Sequence, residues 1–104
     1  MLQQISLERE RLIVPPSIEI KDILNEMASL LADCDMNDWS GMLLRLRAYI
    51  DDDWLDAIYR ILNLYGGMGS LNDLVLCKNG QILQAENDTF DNLRTRLYAL
   101  SVSR

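Results

Sequence analysis

The sequence predicts a mainly α-helical single domain, a bundle of about four helices with a small β-hairpin between the third and last helices. Three observations support this prediction. Apolar residues recur at spacings of three and four along most of the chain, as on the buried face of a helix. An Asn-Gly dipeptide separates two short β-prone runs, which is typical of a hairpin. A chain of 104 residues with 49% hydrophobic residues suits one domain with one core.

Three helices are predicted in the first two thirds of the chain. The first begins at Ser17, its expected N-cap, directly after two prolines. The second follows the segment DCDMND with Asp38 as its cap, and the third follows residues 51–53 and ends at Gly66. Residues 1–14 fit either a short helix or an edge strand. The apolar positions with helical spacing are Ile20, Ile23, Leu24, Met27, Leu30, Leu31 and Cys34, then Trp39, Met42, Leu43, Leu46, Tyr49 and Ile50, then Trp54, Leu55, Ile58, Ile61, Leu62 and Tyr65.

The last third of the chain predicts the hairpin and a fourth helix. In DLVLCKNGQILQ, Asn79 and Gly80 tolerate the positive φ angles of a two-residue turn. Asn87 or Asp88 then offers an N-cap. The helix that follows carries an apolar face of Phe90, Leu93, Leu97 and Leu100.

The glycine-rich stretch YGGMGSLNDLVL is interpreted as a structural turn. A phosphate-binding loop would need a lysine after its glycines and a helix following them, and this stretch has neither. Glycine allows sharp backbone turns, and Asn and Asp side chains can bond to nearby backbone N–H groups. Met68 and Leu71 are expected to pack inward. The residues assigned to the turn are Gly66, Gly67, Gly69, Asn72 and Asp73.

No catalytic residue, metal site or cofactor is predicted, and we expect a protein that is not an enzyme. Histidine is absent, so the commonest general base and metal ligand is missing, and Ser70 has no histidine to activate it. The DCDMND segment begins like a calcium loop at Asp33. It then has Asp38 where the loop needs glycine and Leu44 where it needs glutamate.

Composition favours a cytoplasmic protein. The chain lacks the run of roughly 18 apolar residues that a membrane helix needs, and glutamates interrupt the opening stretch where a signal peptide would be apolar. Cys34 and Cys77 are isolated and are expected to be buried, reduced thiols. The net charge of −6 argues against direct binding to nucleic acid or to an anionic membrane.

All of the net charge comes from one segment. Residues 17–53 hold nine acidic residues against Lys21, Arg45 and Arg47, and nine minus three equals the net charge of −6. Like charges four residues apart on a helix, such as Asp22 and Glu26, cost roughly 0.2–0.5 kcal/mol of stability per pair. The pattern therefore indicates selection for binding a basic partner and not for stability. The alternative explanation is that a solvent-exposed helix face is charged without any role in binding. The predicted partner-binding residues are Glu19, Asp22, Glu26, Asp33, Asp35, Asp38, Asp51, Asp52 and Asp53.

Two resemblances bear on function. The stretches WLDAIYRILNLYGGMGSLNDLVL and ENDTFDNLRTRLYAL resemble a family of small uncharacterised bacterial proteins whose signature is GGMGS, a hydrophobic residue, Asn and Asp. That family more often has an aromatic residue where Leu71 stands, and the resemblance implies a helical bacterial domain without a known activity. In size and acidity, the chain also resembles immunity proteins of contact-dependent growth inhibition and related toxin systems.

The sequence therefore favours an immunity protein that binds a cognate toxin domain one to one and blocks its active site, the toxin being a basic nuclease such as an RNase. The acidic segment would pair with Lys and Arg in the toxin's cleft. One alternative is a small-ligand-binding protein or enzyme that uses Ser70, Asn72 or Asp73 in the glycine turn. Another is a homodimeric adaptor without a toxin partner.

Overall fold

A computed structural model of this protein describes residues 15–103, which form four α-helices and a hairpin. Helix α1 spans Pro16–Asp33, α2 Asn37–Tyr49, α3 Trp54–Leu62 and α4 Gln84–Val102. Between α3 and α4 lie a short 3-10 helix, Leu71–Asp73, and antiparallel strands β1 (Cys77–Lys78) and β2 (Gln81–Ile82). The predicted fold class and element order are confirmed. None of the helices in this range is both long and apolar enough to cross a membrane.

One hydrophobic core joins the four helices. The predicted apolar faces supply it, with Leu24, Leu43, Ile58 and Leu97 fully buried, one from each helix. The aromatic residues predicted to pack inward lie partly buried against this core; they are Trp39, Tyr49, Trp54 and Tyr65. Leu55 is an exception, because 67% of it is exposed although its spacing fits the apolar face of α3.

Helix α1 lies at the centre, packed against both α2 and α4. A buried hydrogen bond from Ser40 Oγ to the Ala28 carbonyl, 2.8 Å long, joins α1 to α2. Arg96, near the end of α4, donates to Glu19 at the start of α1 over 3.3 Å. Since the start of α1 therefore meets the end of α4, these two helices run antiparallel.

Three helices begin earlier than their predicted caps. Helix α1 starts at Pro16 and not after Ser17, because a proline at the first helical position needs no partner for an N–H and already has a helical φ. Helix α2 starts at Asn37 with Met36 in the N-cap position, which places Asp38 inside the first turn. Helix α4 starts at Gln84 with Leu83 in the N-cap position, so neither Asn87 nor Asp88 caps it.

Asn87 has a tertiary role in place of the predicted cap. Its amide group donates to the carbonyls of Leu76 and Leu83 over 2.9 and 2.8 Å. Its side-chain oxygen accepts the N–H of Leu76 over 2.8 Å. The side chain therefore holds the segment before the hairpin against α4.

Helix α3 has the start that its sequence indicates and an earlier end. The Asp53 carboxylate accepts the backbone N–H of Asp56 over 3.1 Å and caps the helix. The helix ends at Leu62, not at Gly66, because the N–H groups of Leu64 and Tyr65 bond three residues back instead of four.

The hairpin confirms the prediction from Asn79 and Gly80, whose φ angles are 53° and 77°. The expectation for the cysteines is correct in part. Both are free thiols, but Cys77 on β1 is exposed and Cys34 is only half-buried. The strand pair covers no core, so its alternating pattern does not bury Cys77.

Candidate functional site

The nine acidic residues predicted to bind a partner fall into two groups in the structure. Three have contacts within the fold: Glu19 with Arg96, Asp51 with Lys21, and Asp53 with the first turn of α3. The other six are exposed and form no ion pair with another residue of the range 15–103. These six are Asp22, Glu26, Asp33, Asp35, Asp38 and Asp52.

The acidic residues on either side of α2 do not form one patch. Asp35 and Asp38 lie at the start of α2, whereas residues 51–53 follow its end. A helix of 13 residues is about 20 Å long at 1.5 Å per residue. The candidate site is therefore the acidic turn, which we define as residues 33–39 between α1 and α2.

The backbone of the acidic turn forms a Schellman motif that ends α1. The N–H of Met36 bonds to the Leu31 carbonyl over 2.9 Å, and the N–H of Asp35 bonds to the Ala32 carbonyl over 3.1 Å. Asp35 has a φ of 61° at the position where such motifs usually place glycine. A charged residue with a Cβ thus occupies a left-handed position that glycine takes without strain.

The charges of the acidic turn are unfavourable for α1. The C-terminal end of a helix carries a partial negative charge, which cations stabilise and carboxylates destabilise by typically 0.3–1 kcal/mol. Asp33 and Asp35 lie at this end, and the last turn of α1 contains no basic residue. Asp38 differs, because it lies in the first turn of α2, where a negative charge is favourable.

An open depression of about 370 Å³ lies in the acidic turn. Asp35 and Asp38 line it together with Met36, Asn37 and Trp39. Met36 and Trp39 are partly buried against the core, so they provide an apolar surface beside the carboxylates. An indole ring next to carboxylates can receive a lysine or arginine side chain through both cation–π attraction and ion pairing.

Cys34, which lies in the turn, is not an activated nucleophile. Burial is the largest influence on its thiol and raises the pKa, nearby Lys78 lowers it, and Asp33 raises it further. The net shift is upward, so the thiol stays protonated near neutral pH.

A second polar region is the glycine segment, which we define as residues 66–73. Gly66, Gly67 and Gly69 have φ angles of 85°, 80° and 73°, which agrees with their predicted role in a turn. Ser70 Oγ accepts the N–H of Asn72, and the Asp73 carboxylate accepts the N–H of Ser70. This capping box holds the 3-10 helix, so these two side chains serve the fold.

Three other expectations for the glycine segment have different outcomes. Leu71 is fully buried as predicted, and its N–H bonds to the Leu64 carbonyl over 2.8 Å. Met68 was expected to pack inward, but it is fully exposed because it sits between left-handed glycines at the tip of the loop. The Asn72 side chain makes no hydrogen bond with the residues from 15 to 103 and instead lines a cleft.

That cleft has a volume of about 580 Å³ and lies between the end of α3 and helix α4. Tyr65 forms one wall: its hydroxyl donates to the Arg94 carbonyl over 2.7 Å, and its ring meets that of Tyr98 edge-on, with centroids 5.1 Å apart. Burial raises the pKa of Tyr65, so its hydroxyl remains neutral. Arg94, Thr95 and Tyr98 of α4 also line the cleft.

The sequence did not predict this cleft. Arg94 and Tyr98 are four residues apart, which places them on one face of α4 beside its apolar stripe. That spacing was the available signal. It did not reveal what the face meets, because this depends on how Tyr65 approaches α4.

Neither region has the residues of a metal centre. Within residues 15–103, no group of three or more His, Cys, Asp or Glu side chains could hold a metal ion. The buried side-chain polar atoms of this range all have hydrogen-bond partners.

Comparison with known proteins shows the family of this chain. No curated protein and no solved structure matches it. Residues 32–84, just over half of the chain, match a family, and this range contains both the acidic turn and the glycine segment. The chain therefore belongs to the family described as Domain of unknown function (DUF6966).

Proposed function

We propose that this protein is a bacterial, cytoplasmic immunity protein that binds a cognate toxin domain one to one and blocks its basic active-site cleft. The toxin is a nuclease, with an RNase as the simplest case. The supporting observation is the placement of Asp33 and Asp35 at the C-terminal end of α1, where their charges oppose the helix dipole and no basic residue lies in the last turn. Stability alone does not account for carboxylates at this position.

A nuclease cleft offers the complement to the acidic turn. Such a cleft is lined with Lys and Arg because it must hold phosphates and displace their counterions. Carboxylates that occupy the same basic groups exclude the nucleic acid by competition. Complementary charge also speeds association and orients the two proteins before they dock.

Met36 and Trp39 supply the second component of the interface. Most binding energy in protein interfaces comes from a few residues that lose water on binding, and tryptophan is enriched among them. Both residues line the depression between Asp35 and Asp38. A toxin lysine or arginine inserted there would contact the indole ring and a carboxylate together. This mode of action is stoichiometric and requires no catalytic group.

The test is capture of the toxin by three forms of the protein. The first is wild type, and the second carries Asp33→Asn, Asp35→Asn and Asp38→Asn, which remove three charges at constant size. Asparagine tolerates the left-handed φ of Asp35. The matched control carries Asp51→Asn, Asp52→Asn and Asp53→Asn, which change the charge equally at the other end of α2. Asparagine can still cap α3 there.

We expect wild type and the control to retain a basic nuclease domain from a lysate of the source cell and to inhibit its cleavage of RNA. The acidic-turn variant should bind the purified domain at least about a hundredfold more weakly, since each buried charged hydrogen bond contributes 1.5–3 kcal/mol. Equal inhibition by all three forms, or capture only of proteins without nuclease activity, would reject the proposal.

A further inference from the structure

The cleft between α3 and α4 is a second site, independent of the acidic turn. We propose that it binds a small aromatic carboxylate, with the ring against Tyr98 and Leu62 and the carboxylate on the Arg94 guanidinium. Its volume of about 580 Å³ lies within the range of roughly 300–1,000 Å³ of small-molecule sites. Like such sites, it combines apolar walls with a few polar groups.

Arg94 determines the charge of the ligand. Its side chain is only 19% exposed, although it lines an open cleft. In the part of the chain that the structure describes, its guanidinium has one ion-pair partner, Asp91, which lies 2.9 Å from Nη2 and is more than half exposed. A guanidinium has five N–H donors in a planar fork, so one contact at Nη2 leaves donors for a second carboxylate.

The tyrosines determine the shape of the ligand. Tyr65 is held by its hydrogen bond to the Arg94 carbonyl and by its edge-on contact with Tyr98. Tyr98 is nearly half exposed, so its ring presents a surface to the cleft. A flat ring can stack on such a surface, as aromatic pairs do at centroid distances of about 4.5–7 Å.

Asn72 and Gly66 complete the site from the glycine segment. Asn72 lines the cleft, and its side-chain amide makes no hydrogen bond with the described residues, unlike the side chains of Ser70 and Asp73, which bond to the backbone. Gly66 has a φ of 85° and brings a backbone without a side chain to the rim. The amide is thus available to a polar group on the ligand.

The test adds naphthalene-2-carboxylate to the 104-residue protein as a probe and monitors its binding by two-dimensional NMR. Two matched compounds separate the requirements: naphthalene-2-carboxamide lacks the charge, and cyclohexanecarboxylate lacks the aromatic ring. We expect saturable shifts at the backbone amides of Gly66, Asn72 and Thr95, with a Kd on the order of 1 mM for a ligand of this size. Both matched compounds should bind at least about tenfold more weakly than naphthalene-2-carboxylate.

Variants then locate the probe. Arg94→Gln should weaken its binding about tenfold, while Arg96→Gln, an equal charge change on the same helix outside the cleft, should leave it unchanged. Asn72→Ala should weaken it severalfold without loss of thermal stability. If Arg94→Gln fails to fold, Tyr98→Leu tests the site instead, because it removes the aromatic ring on which the probe is proposed to stack and should also weaken binding. Shifts outside the cleft, equal binding of the carboxamide, an equal loss in Arg96→Gln, or no saturable shift would each overturn the proposal.

Discussion

The acidic turn and the glycine segment both connect helices and both are rich in polar residues, yet they use those residues in opposite ways. In the glycine segment, Ser70 and Asp73 bond to the backbone of their own loop. In the acidic turn, Asp33, Asp35 and Asp38 pair with no cation of the described chain, and two of them oppose the dipole of α1. Polar groups that bond internally specify the fold, whereas groups that the fold does not need remain available to a partner.

This contrast predicts that changes to internally bonded groups or left-handed glycines around the glycine segment reduce stability and leave binding of the proposed toxin intact. Changes in the acidic turn should do the reverse. The following experiments test each half of the contrast, beginning with the largest expected effect.

Asn87→Ala should lower the free energy of unfolding by about 2 kcal/mol, because it leaves the N–H of Leu76 without a partner and removes one of the two donors to the Leu76 carbonyl, which keeps the N–H of Leu83. Urea denaturation measures this loss. The matched control is Asn92→Ala, which removes an exposed asparagine from the same helix and gains the same helix propensity. A similar change in both variants would show that Asn87 does not hold the hairpin segment against α4.

Gly69→Ala should lower the free energy of unfolding by about 1 kcal/mol. A steric clash is not the cause, because a Cβ at this position would meet no atom within 4 Å. The loss comes from the φ of 73°, which residues with a Cβ adopt only with strain. Gly41→Ala is the control with the opposite sign. It lies inside α2, where its new Cβ approaches only the flexible end of Arg45, so we expect a gain of about 0.5 kcal/mol. Thermal or urea unfolding of both variants tests the pair, and a loss of equal size in each would contradict it.

Asp35→Gly should raise the free energy of unfolding by about 0.5–1 kcal/mol while weakening binding of the proposed toxin. Glycine relieves the left-handed backbone, and loss of the charge relieves its conflict with the helix dipole. Asp35→Ala removes the same charge but keeps a Cβ at the same φ. It should therefore lack the part of the stability gain that comes from relieving the left-handed backbone. If the glycine variant is less stable than wild type, the acidic turn does not sacrifice stability for binding.

The smallest expected effect concerns a network outside both regions. Asp56 accepts hydrogen bonds from Arg60 Nε over 2.7 Å and from the Tyr49 hydroxyl over 2.8 Å. These two bonds, with Arg60 the larger influence, lower the pKa of Asp56. A lowered folded-state pKa adds stability above the unfolded value of about 3.9, and this stability is lost as pH falls through the folded value.

Asp56→Asn should therefore reduce stability at pH 7 more than at pH 2. Urea unfolding at both pH values measures the difference. The same substitution in an Arg60→Gln background should show a smaller difference, because the main cause of the pKa shift is then absent. A difference that does not depend on pH would exclude this network as a source of acid sensitivity.

Local rules predicted the elements of the fold better than their ends. The helical spacing of apolar residues and the Asn79-Gly80 turn depend on neighbours in sequence, so both could be recognised in advance. The predicted caps at Ser17 and Asp38 were wrong because proline and asparagine can occupy the first helical positions without a capping side chain. Asn87 was one of two residues predicted to cap the last helix, but its partners include Leu76, whose position depends on the packing of the hairpin segment.

The sequence by itself determined four amphipathic segments, a tight hairpin turn and the confinement of the net charge to residues 17–53. Periodicity and composition are local properties, and they suffice for these features. The tertiary structure alone decided which charges of residues 17–53 are neutralised. Glu19 meets Arg96, which lies 77 residues away, and Asp51 meets Lys21, 30 residues away, while Asp33, Asp35 and Asp38 meet no described cation. An ion pair requires two side chains within about 4 Å, and for residues this far apart in sequence only the packing of the chain sets that distance.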